Sequence, residues 1–486
     1  MLSAGSNQLA PALARCIATS ASAANAVPAL APAKSGGILS SVFGMGGSRI
    51  DVPLSEKLPS VTEPPRSSAP AAKPSVQTSS VGPGVKVATI ESASPLSGLA
   101  LFIEGGSSAE TSSTAGASQV LQIAAFKATA NRSTFRLTRE LEKIGATAYC
   151  RAARDHVAFG IDAVRLNQRE ALEILADSVF NSRFAYWEVR DSLDALKEQL
   201  ATQLKNPITT VTEVLHRAAY DGGLGNQLVV DPSLVDGFTD ATLREYVASI
   251  TSPSRVVLAG VGVDHAEITA LAGPLLSVPN TATAAPAASK YVGGSMSVLA
   301  PAAPATYVGV AFEAKGGASD AKAAASALVV KALLDDARPT LPFARKEHEV
   351  FTSLSPFAHL YKGSGLVGVV ASGAPRKAGA LVDALTAKVQ AVAKGVSEPQ
   401  LALAKALALG QLKATTGTTA GLVSSIGWST LATGKYNGNE VASAVSALTA
   451  AEVTSYVSAM VKANPTFVAY GDLSSLPRTD AFAKRF

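Results

Sequence analysis

The stretch Gly105-Gly106-Ser107-Ser108 decides the fold, because Gly316-Gly317-Ala318-Ser319 repeats it 211 residues later. Two further landmarks recur in the same order and at nearly the same spacing. Phe159-Gly160-Ile161 returns as Val367-Gly368-Val369 after 208 residues, and Thr239–Val247 returns as Thr449–Val457 after 210. Three landmarks at nearly one spacing indicate two homologous halves of about 200 residues each.

Strands and helices are mixed within each half. Mainly apolar runs predict strands at Leu99–Glu104, Val157–Ala163, Arg255–Gly260, Thr306–Phe312 and Leu366–Ala371. Apolar residues at helical spacing predict helices over Ala171–Phe180, Trp187–Lys205, Ala321–Leu334 and Ala378–Val392. We therefore predict an α+β fold. Each half is an α/β sandwich, a mixed sheet with helices packed on one face, and the two halves are joined like a clam.

The length of 486 residues exceeds what one hydrophobic core organises, so several segments are expected. Residues 1–50 are rich in Ala and Ser with scattered Arg and Lys, and contain no acidic residue, which predicts an organelle transit peptide, either mitochondrial or chloroplast. Residues 51–81 are rich in Pro and Ser and predict a linker or extended arm. The remainder divides into an N-terminal domain at 82–276, a linker at 277–297 and a C-terminal domain at 298–486.

Charge and hydropathy exclude several classes of function. The formal net charge is +5, but residues 1–81 hold six bases and three acids, which leaves only +2 for the other 405 residues. A nearly neutral body offers no electrostatic surface for nucleic acid. No apolar run reaches the ~18–20 residues that a spanning helix needs, so we predict that any membrane association comes through partners. Cys150 is the one cysteine after the leader, which excludes an internal disulfide there.

One segment bears on catalysis. Residues 116–129 read Gly-Ala-Ser-Gln119-Val-Leu-Gln122-Ile123-Ala-Ala-Phe-Lys-Ala-Thr. This frame resembles the zinc-binding helix of the mitochondrial processing peptidase and complex III core protein family, whose H-x-x-E-H motif would fall on Gln119, Gln122 and Ile123. A zinc hydrolase needs imidazole ligands and a carboxylate base, which glutamine and isoleucine do not supply. The resemblance also implies a distal glutamate; counting places it at Leu200, with Glu198 as the nearest carboxylate. We predict no catalytic residue, no metal and no cofactor.

Other chemical patterns are weaker. His265 stands where a dinucleotide fingerprint starting at Gly260 needs its third glycine, so a plain turn is expected there. Asp155 and His156 predict a local hydrogen-bonded pair. Side chains of Glu347, His348 and Glu349 point apart on any regular element, which predicts a solvated cluster. The solvated face of one helix is expected to carry Glu188, Asp191, Asp194 and Glu198.

The same family resemblance extends over residues 84–486. Further segments that carry it are Leu215–Leu228, Val261–His265, Ser364–Gly368 and Ala469–Leu473. Within the family the chain resembles core protein 2 of ubiquinol–cytochrome c reductase. That resemblance implies a non-catalytic structural subunit on the matrix face of the mitochondrial inner membrane, and it implies that residues 1–50 are a mitochondrial transit peptide. Its implied partners are core protein 1 or the processing peptidase β subunit, and other complex III subunits including cytochrome b.

The presequence-binding α subunit of the processing peptidase is the alternative. The resemblance implies that an α subunit would carry a glycine-rich loop after the helix that ends near Leu334. No glycine occurs between Gly317 and Gly363, although the chain holds 39 glycines. A flexible loop that needs positive φ uses glycine, so this stretch favours the core protein. Both alternatives stay open at the level of sequence.

Overall fold

Two mixed β-sheets, one in each half of the chain, carry the architecture. The computed structural model describes residues 75–82, 84–92, 94–279, 289–335 and 350–477. These residues belong to a single compact unit that contains both halves. The predicted α+β class with two homologous halves is therefore confirmed.

The first sheet has the strand order β1-β2-β7-β3-β5-β4. Its strands are β1 (Val76–Val81), β2 (Val85–Ile90), β3 (Leu96–Glu104), β4 (Thr147–Ala152), β5 (His156–Val164) and β7 (Val256–Val261). Neighbouring strands are antiparallel except β2 and β7, which are parallel. A small antiparallel sheet joins β6 (Tyr220–Asp221) to β8 (Lys290–Tyr291).

The second sheet repeats this topology with one strand fewer, in the order β11-β12-β10-β13-β9. Its strands are β9 (Gly294–Leu299), β10 (Thr306–Glu313), β11 (Ser353–Leu360), β12 (Gly365–Gly373) and β13 (Thr466–Gly471). The parallel pair is β9 with β13, which corresponds to β2 with β7 in the first sheet. All five predicted strands form, most of them one to three residues longer at an end than the apolar runs that predicted them.

Each half contributes several helices, and all but one of them in each half cover one face of its own sheet. In the first half they are α1 (Ala117–Ala124), α2 (Thr134–Lys143), α3 (Gln168–Phe180), α4 (Tyr186–Leu204), α5 (Pro207–Ala219), α6 (Asp240–Ile250) and α7 (His265–Leu275). In the second half they are α8 (Ala321–Leu334), α9 (Ala378–Lys394), α10 (Glu398–Thr416), α11 (Thr419–Thr433), α12 (Gly438–Ala447) and α13 (Ala450–Val461). Each half encloses its own large apolar core. The bounds of α8 match the predicted helix.

The landmarks of the repeat occupy equivalent structural positions. Gly106 and Gly317 both follow the first central strand of their half, with φ of 68° and 51°. A side chain at either glycine would collide with a carbonyl oxygen of the facing hairpin. Thr239 and Thr449 are the N-caps of α6 and α13, and each accepts a hydrogen bond from the third following amide. The repeat therefore reflects shared turns and caps.

The two halves exchange one helix each, which the sequence did not predict. Helix α5 of the first half packs on the outer face of the second sheet, and α11 of the second half packs on the outer face of the first. Equivalent glycines permit the contact, because a Cβ at Gly98 would lie 2.9 Å from Val423, and one at Gly309 would lie 2.9 Å from Val211. Each sheet is thus covered on both faces.

Two predicted segments differ from the structure at their edges. The last six residues of the predicted arm form β1, and β9 begins inside the predicted linker 277–297. In the described ranges no single helix is long and apolar enough to cross a membrane. Helices α12 and α13 meet that test only as a pair, and they are bent by 106°.

Candidate functional site

Helix α1, which carries the positions of the predicted degenerate motif, is anchored by the loop before it. Its N-cap Gly116 has φ 87°, and Glu110 accepts hydrogen bonds from the amides of Gly116 and Ser118, each at 2.8 Å. Burial raises the pKa of Glu110 to about 7, although the hydrogen bonds from Ser118 and Gly116 favour the carboxylate. The helix N-terminus is thereby satisfied without an external ligand.

The three motif positions make structural contacts. Gln119 is buried, with 4% of its surface exposed. Gln122 is half-buried, and its Oε1 accepts a hydrogen bond of 2.9 Å from the Ala152 amide at the end of β4. Ile123 packs against the core of the first half. This surface of α1 thus presents amide and alkyl groups, none of which is an ordinary zinc ligand.

The distal positions do not supply a metal ligand either. Leu200 is fully buried in the core of the first half, as its place in the apolar stripe of α4 requires. Glu198 lies exposed on the same helix. Within the ranges that the structure describes, no group of three or more His, Cys, Asp or Glu side chains could hold a metal ion.

Glu188 departs from the predicted solvated face. Its carboxylate accepts a hydrogen bond from the Ala128 amide at 3.3 Å and another from the Thr134 hydroxyl. It therefore ties α4 to the segment between α1 and α2, and the prediction was wrong for this residue. Asp191, Asp194 and Glu198 are exposed, as predicted.

A cavity of about 660 Å³ lies between the two halves. It is bounded by the β4–β5 turn and α5 of the first half, and by the end of β11 and α11 of the second. A buried ion pair joins Arg154 to Glu213 at 2.7 Å, with 5% and 7% of the two side chains exposed. Glu213 also accepts from the Leu228 amide at 2.8 Å, so the charges in this wall are paired and hydrogen-bonded.

Each exchanged helix is connected to the opposite half by one cluster of hydrogen bonds. On α11, Trp428 Nε1 donates to Asp155 Oδ2 at 3.0 Å, while Asp155 Oδ1 pairs with His156 Nδ1 at 2.7 Å. The predicted Asp155–His156 pair is thus confirmed. Although burial raises the pKa of Asp155, the opposing effect of His156 and of both hydrogen bonds lowers it below its ordinary value.

The second cluster centres on His216 of α5. Its Nδ1 donates to the Thr212 carbonyl at 2.7 Å, which leaves Nε2 to accept from the Tyr361 hydroxyl at 2.8 Å. The His359 ring lies 5.3 Å from the His216 ring. Burial lowers the pKa of His216 well below its ordinary value and that of His359 to about 4, and the nearby charge of Arg154 adds to both shifts. Both imidazoles are therefore neutral at pH 7.

The sequence analysis predicted the Asp155–His156 pair but missed its hydrogen bond with Trp428 and the whole His216 cluster, although a signal was present. His216 and Trp428 are 212 residues apart, close to the spacing of the repeat, and each hydrogen-bonds to the β-hairpin turn of the other half. Both clusters hold the two halves together through hydrogen bonds.

The remaining predicted positions are structural. His265 begins α7 and its Nδ1 hydrogen-bonds to the Thr89 hydroxyl at 2.7 Å. Gly262 has φ 75°, and a Cβ there would lie 2.6 Å from the Leu96 carbonyl oxygen, so this glycine serves a tight strand-to-helix turn. The residues Glu347, His348 and Glu349 lie outside the described part of the chain.

Comparisons with known proteins agree with this two-half architecture. Residues 86–232 match the family described as Insulinase (Peptidase family M16), and residues 237–407 match the Peptidase M16 inactive domain. The mitochondrial-processing peptidase subunit alpha of Solanum tuberosum is 30% identical over 484 residues, covering 94% of each chain.

Complex III proteins are related as well. The cytochrome b-c1 complex subunit 2 of Mus musculus is 28% identical over 411 residues, covering 82% of this chain and 90% of its own. The cytochrome b-c1 complex subunit 1 of Homo sapiens is 30% identical over 253 residues, covering 51% and 53%. Together these matches span both halves, and the chain belongs to the M16 peptidase family.

Proposed function

We propose that this chain is a non-catalytic M16 subunit that supports a sister subunit in mitochondria. The observation that carries the proposal is the chemistry of α1, where Gln119, Gln122 and Ile123 stand at the positions proposed for the zinc ligands and the base. A catalytic zinc site uses three protein ligands and a water. Here an amide, a second amide and an alkyl group replace two imidazoles and a carboxylate, and Leu200 is enclosed in the core.

A chain without these catalytic groups can still act in assembly. Ordering a partner requires shape and apolar contact but no reactive group. The relatives named above are subunits of larger assemblies, which supports a sister subunit of the core protein 1 or processing peptidase β type as the partner. The family resemblance extends this proposal to an assembly at the matrix face of the mitochondrial inner membrane.

Two versions of this role differ in what else the assembly contains. A core protein 2-like role in complex III, with cytochrome b in the assembly, is supported by the lack of glycine between Gly317 and Gly363. A presequence-binding α subunit of the processing peptidase is supported by the relatives. The Solanum tuberosum α subunit matches 94% of this chain, whereas the Mus musculus subunit 2 matches 82%.

Purification of the native assembly through a tag on this chain discriminates between the two versions. Co-purification with cytochrome b in near-equal amounts is expected for the core role. A matrix heterodimer without cytochrome b, together with presequence peptide binding by this subunit, would select the α role. Both results together would mean that one subunit performs both tasks.

Metal analysis tests the shared part of the proposal. The purified chain is expected to hold far less than one zinc per molecule, and a chelator should leave its properties unchanged. Stoichiometric zinc, or peptide cleavage that a chelator abolishes, would overturn the non-catalytic assignment.

A further inference from the structure

The second sheet is one strand short of the first. Strand β9 corresponds to β2, because each is the parallel neighbour of the last strand of its half. The outer edge of β2 is covered by the antiparallel strand β1. The outer edge of β9 bears no strand within the described ranges.

The free hydrogen-bonding groups of β9 can be assigned. Gly294 N donates to Pro465 O at 3.4 Å and Ala300 N to Gly471 O at 2.9 Å, so the even-numbered residues face β13. In a parallel pair, the N–H and C=O groups of one residue point to the same side of the strand, and those of the next residue point to the opposite side. Ser295, Ser297 and Leu299 therefore direct theirs to the open edge.

This edge lacks the features that protect exposed strands. Natural proteins place charges, prolines or bulges on such edges to prevent pairing with other chains. No charged residue occurs between Lys290 and Glu313. Three large apolar side chains are exposed on or beside the strand: Val292 at 49%, Met296 at 36% and Leu299 at 67%. An uncharged edge with exposed apolar side chains indicates a surface that is covered in the assembly.

The segment just before β9 pairs with the first half and does not cover the outer edge of β9. Strand β1 reaches β2 through a turn that contains Gly82 and Gly84, both at positive φ. The residues before β9 instead form β8, which pairs with β6 of the first half. The Tyr291 hydroxyl fixes this path by donating to Asn464 O at 2.7 Å. The connection between the halves thus replaces the hairpin that would supply a sixth strand.

We propose that the outer edge of β9 pairs with an extended, uncharged segment of the sister subunit, which adds the sixth strand to the second sheet. The added strand runs antiparallel to β9, as β1 runs antiparallel to β2. Like β1, which contains Ser and Thr, it carries no charge. This inference rests on the proposed function, since it names the partner that the proposed role requires.

Hydrogen–deuterium exchange tests the proposal on the unmodified protein. The amides of Ser295, Ser297 and Leu299, which face the open edge, are expected to exchange at least about tenfold more slowly in the native assembly than in the isolated chain. Equal exchange in both samples overturns the proposal. So does protection of these three amides already present in the isolated chain, because that would mean that the outer edge of β9 pairs with another segment or a second copy of this chain.

A matched pair of variants tests the backbone directly. Ser297→Pro removes an outward N–H and should weaken heterodimer formation by about tenfold, whereas Ser297→Ala keeps that N–H and should bind within about twofold of the parent. Equal binding by both variants overturns the inference while leaving the proposed function intact. If this chain forms no heterodimer at all, the proposed function and this inference both fail.

Discussion

The two halves share one topology but fasten to each other with different chemistry. Where the first half has His216 on its exchanged helix, the second half has Trp428, and both reach the hairpin turn of the opposite half. Arg154 forms a buried ion pair, whereas Lys362, its counterpart 208 residues later, forms an exposed one with Glu104. The fold therefore constrains where contacts occur between the halves and leaves their chemical type free to change.

The largest effect is expected from breaking the buried ion pair. Arg154→Met leaves the Glu213 carboxylate buried without its counter-charge, which should lower the free energy of unfolding by about 3–5 kcal/mol. Urea unfolding followed by tryptophan fluorescence would measure the loss, since Trp428 faces the same cavity.

The counterpart in the second half is the control. Lys362→Met removes an exposed pair and should cost about 0–1 kcal/mol, since solvent screens such charges. Similar losses for the two variants would contradict the distinction between a buried and an exposed fastening.

The equivalent glycines under the exchanged helices test whether the two packings are alike. Gly98→Ala and Gly309→Ala each place a methyl group about 3 Å from the crossing helix, which should cost about 1–3 kcal/mol. Gly410→Ala, in an open position on α10, should stabilise by about 0.5–1 kcal/mol. Thermal unfolding of the three variants measures these effects, and a loss at only one of Gly98 and Gly309 would show that the halves pack differently.

Stability should depend on pH through His216 and His359, which lie where α5 contacts the second half. In the folded chain the pKa of His216 and that of His359 lie below 6.5, so the unfolded state binds more protons as the pH falls below that value. Stability is therefore lost from pH 6.5 towards 4, by up to about 1.4 kcal/mol per pH unit for each histidine.

The double variant His216→Gln/His359→Gln separates this contribution from that of the carboxyl groups. Its free energy of unfolding, measured from pH 7 to 4.5, should fall less steeply than that of the parent protein. Parallel curves for the two proteins would contradict the assignment to these histidines.

The smallest effect distinguishes two equivalent tyrosines. The Tyr246 hydroxyl donates to the Gly106 carbonyl at 2.9 Å, whereas the hydroxyl of Tyr456 has no hydrogen-bond partner among the described residues. Tyr246→Phe should cost about 0.5–1.5 kcal/mol, and Tyr456→Phe should be neutral or slightly stabilising. Denaturant unfolding of both variants checks this, and equal losses would mean that the hydroxyl of Tyr456 is satisfied by water.

Much of the fold was predictable because local patterns determine local structure. The apolar stripe through Leu196 and Leu200 predicted both helix α4 and its buried face. The glycine pairs at 105–106 and 316–317 marked equivalent turns, since only glycine fits a left-handed residue beside a facing carbonyl. The role of α1 was harder to predict. The glutamine at position 122 indicates that this helix does not bind zinc, but it does not indicate which group the side chain contacts. Its hydrogen bond to Ala152 required the position of β4.

The sequence by itself determined that the chain has two homologous α+β halves and that glutamine and isoleucine stand where the family resemblance places zinc ligands. Only the tertiary structure decided that α5 and α11 cross to the opposite sheets, and that Arg154, Glu213 and His216 meet between the halves. The physical reason is that helical periodicity specifies which face of a helix is buried. It does not specify which sheet buries that face, because two homologous sheets present similar apolar surfaces.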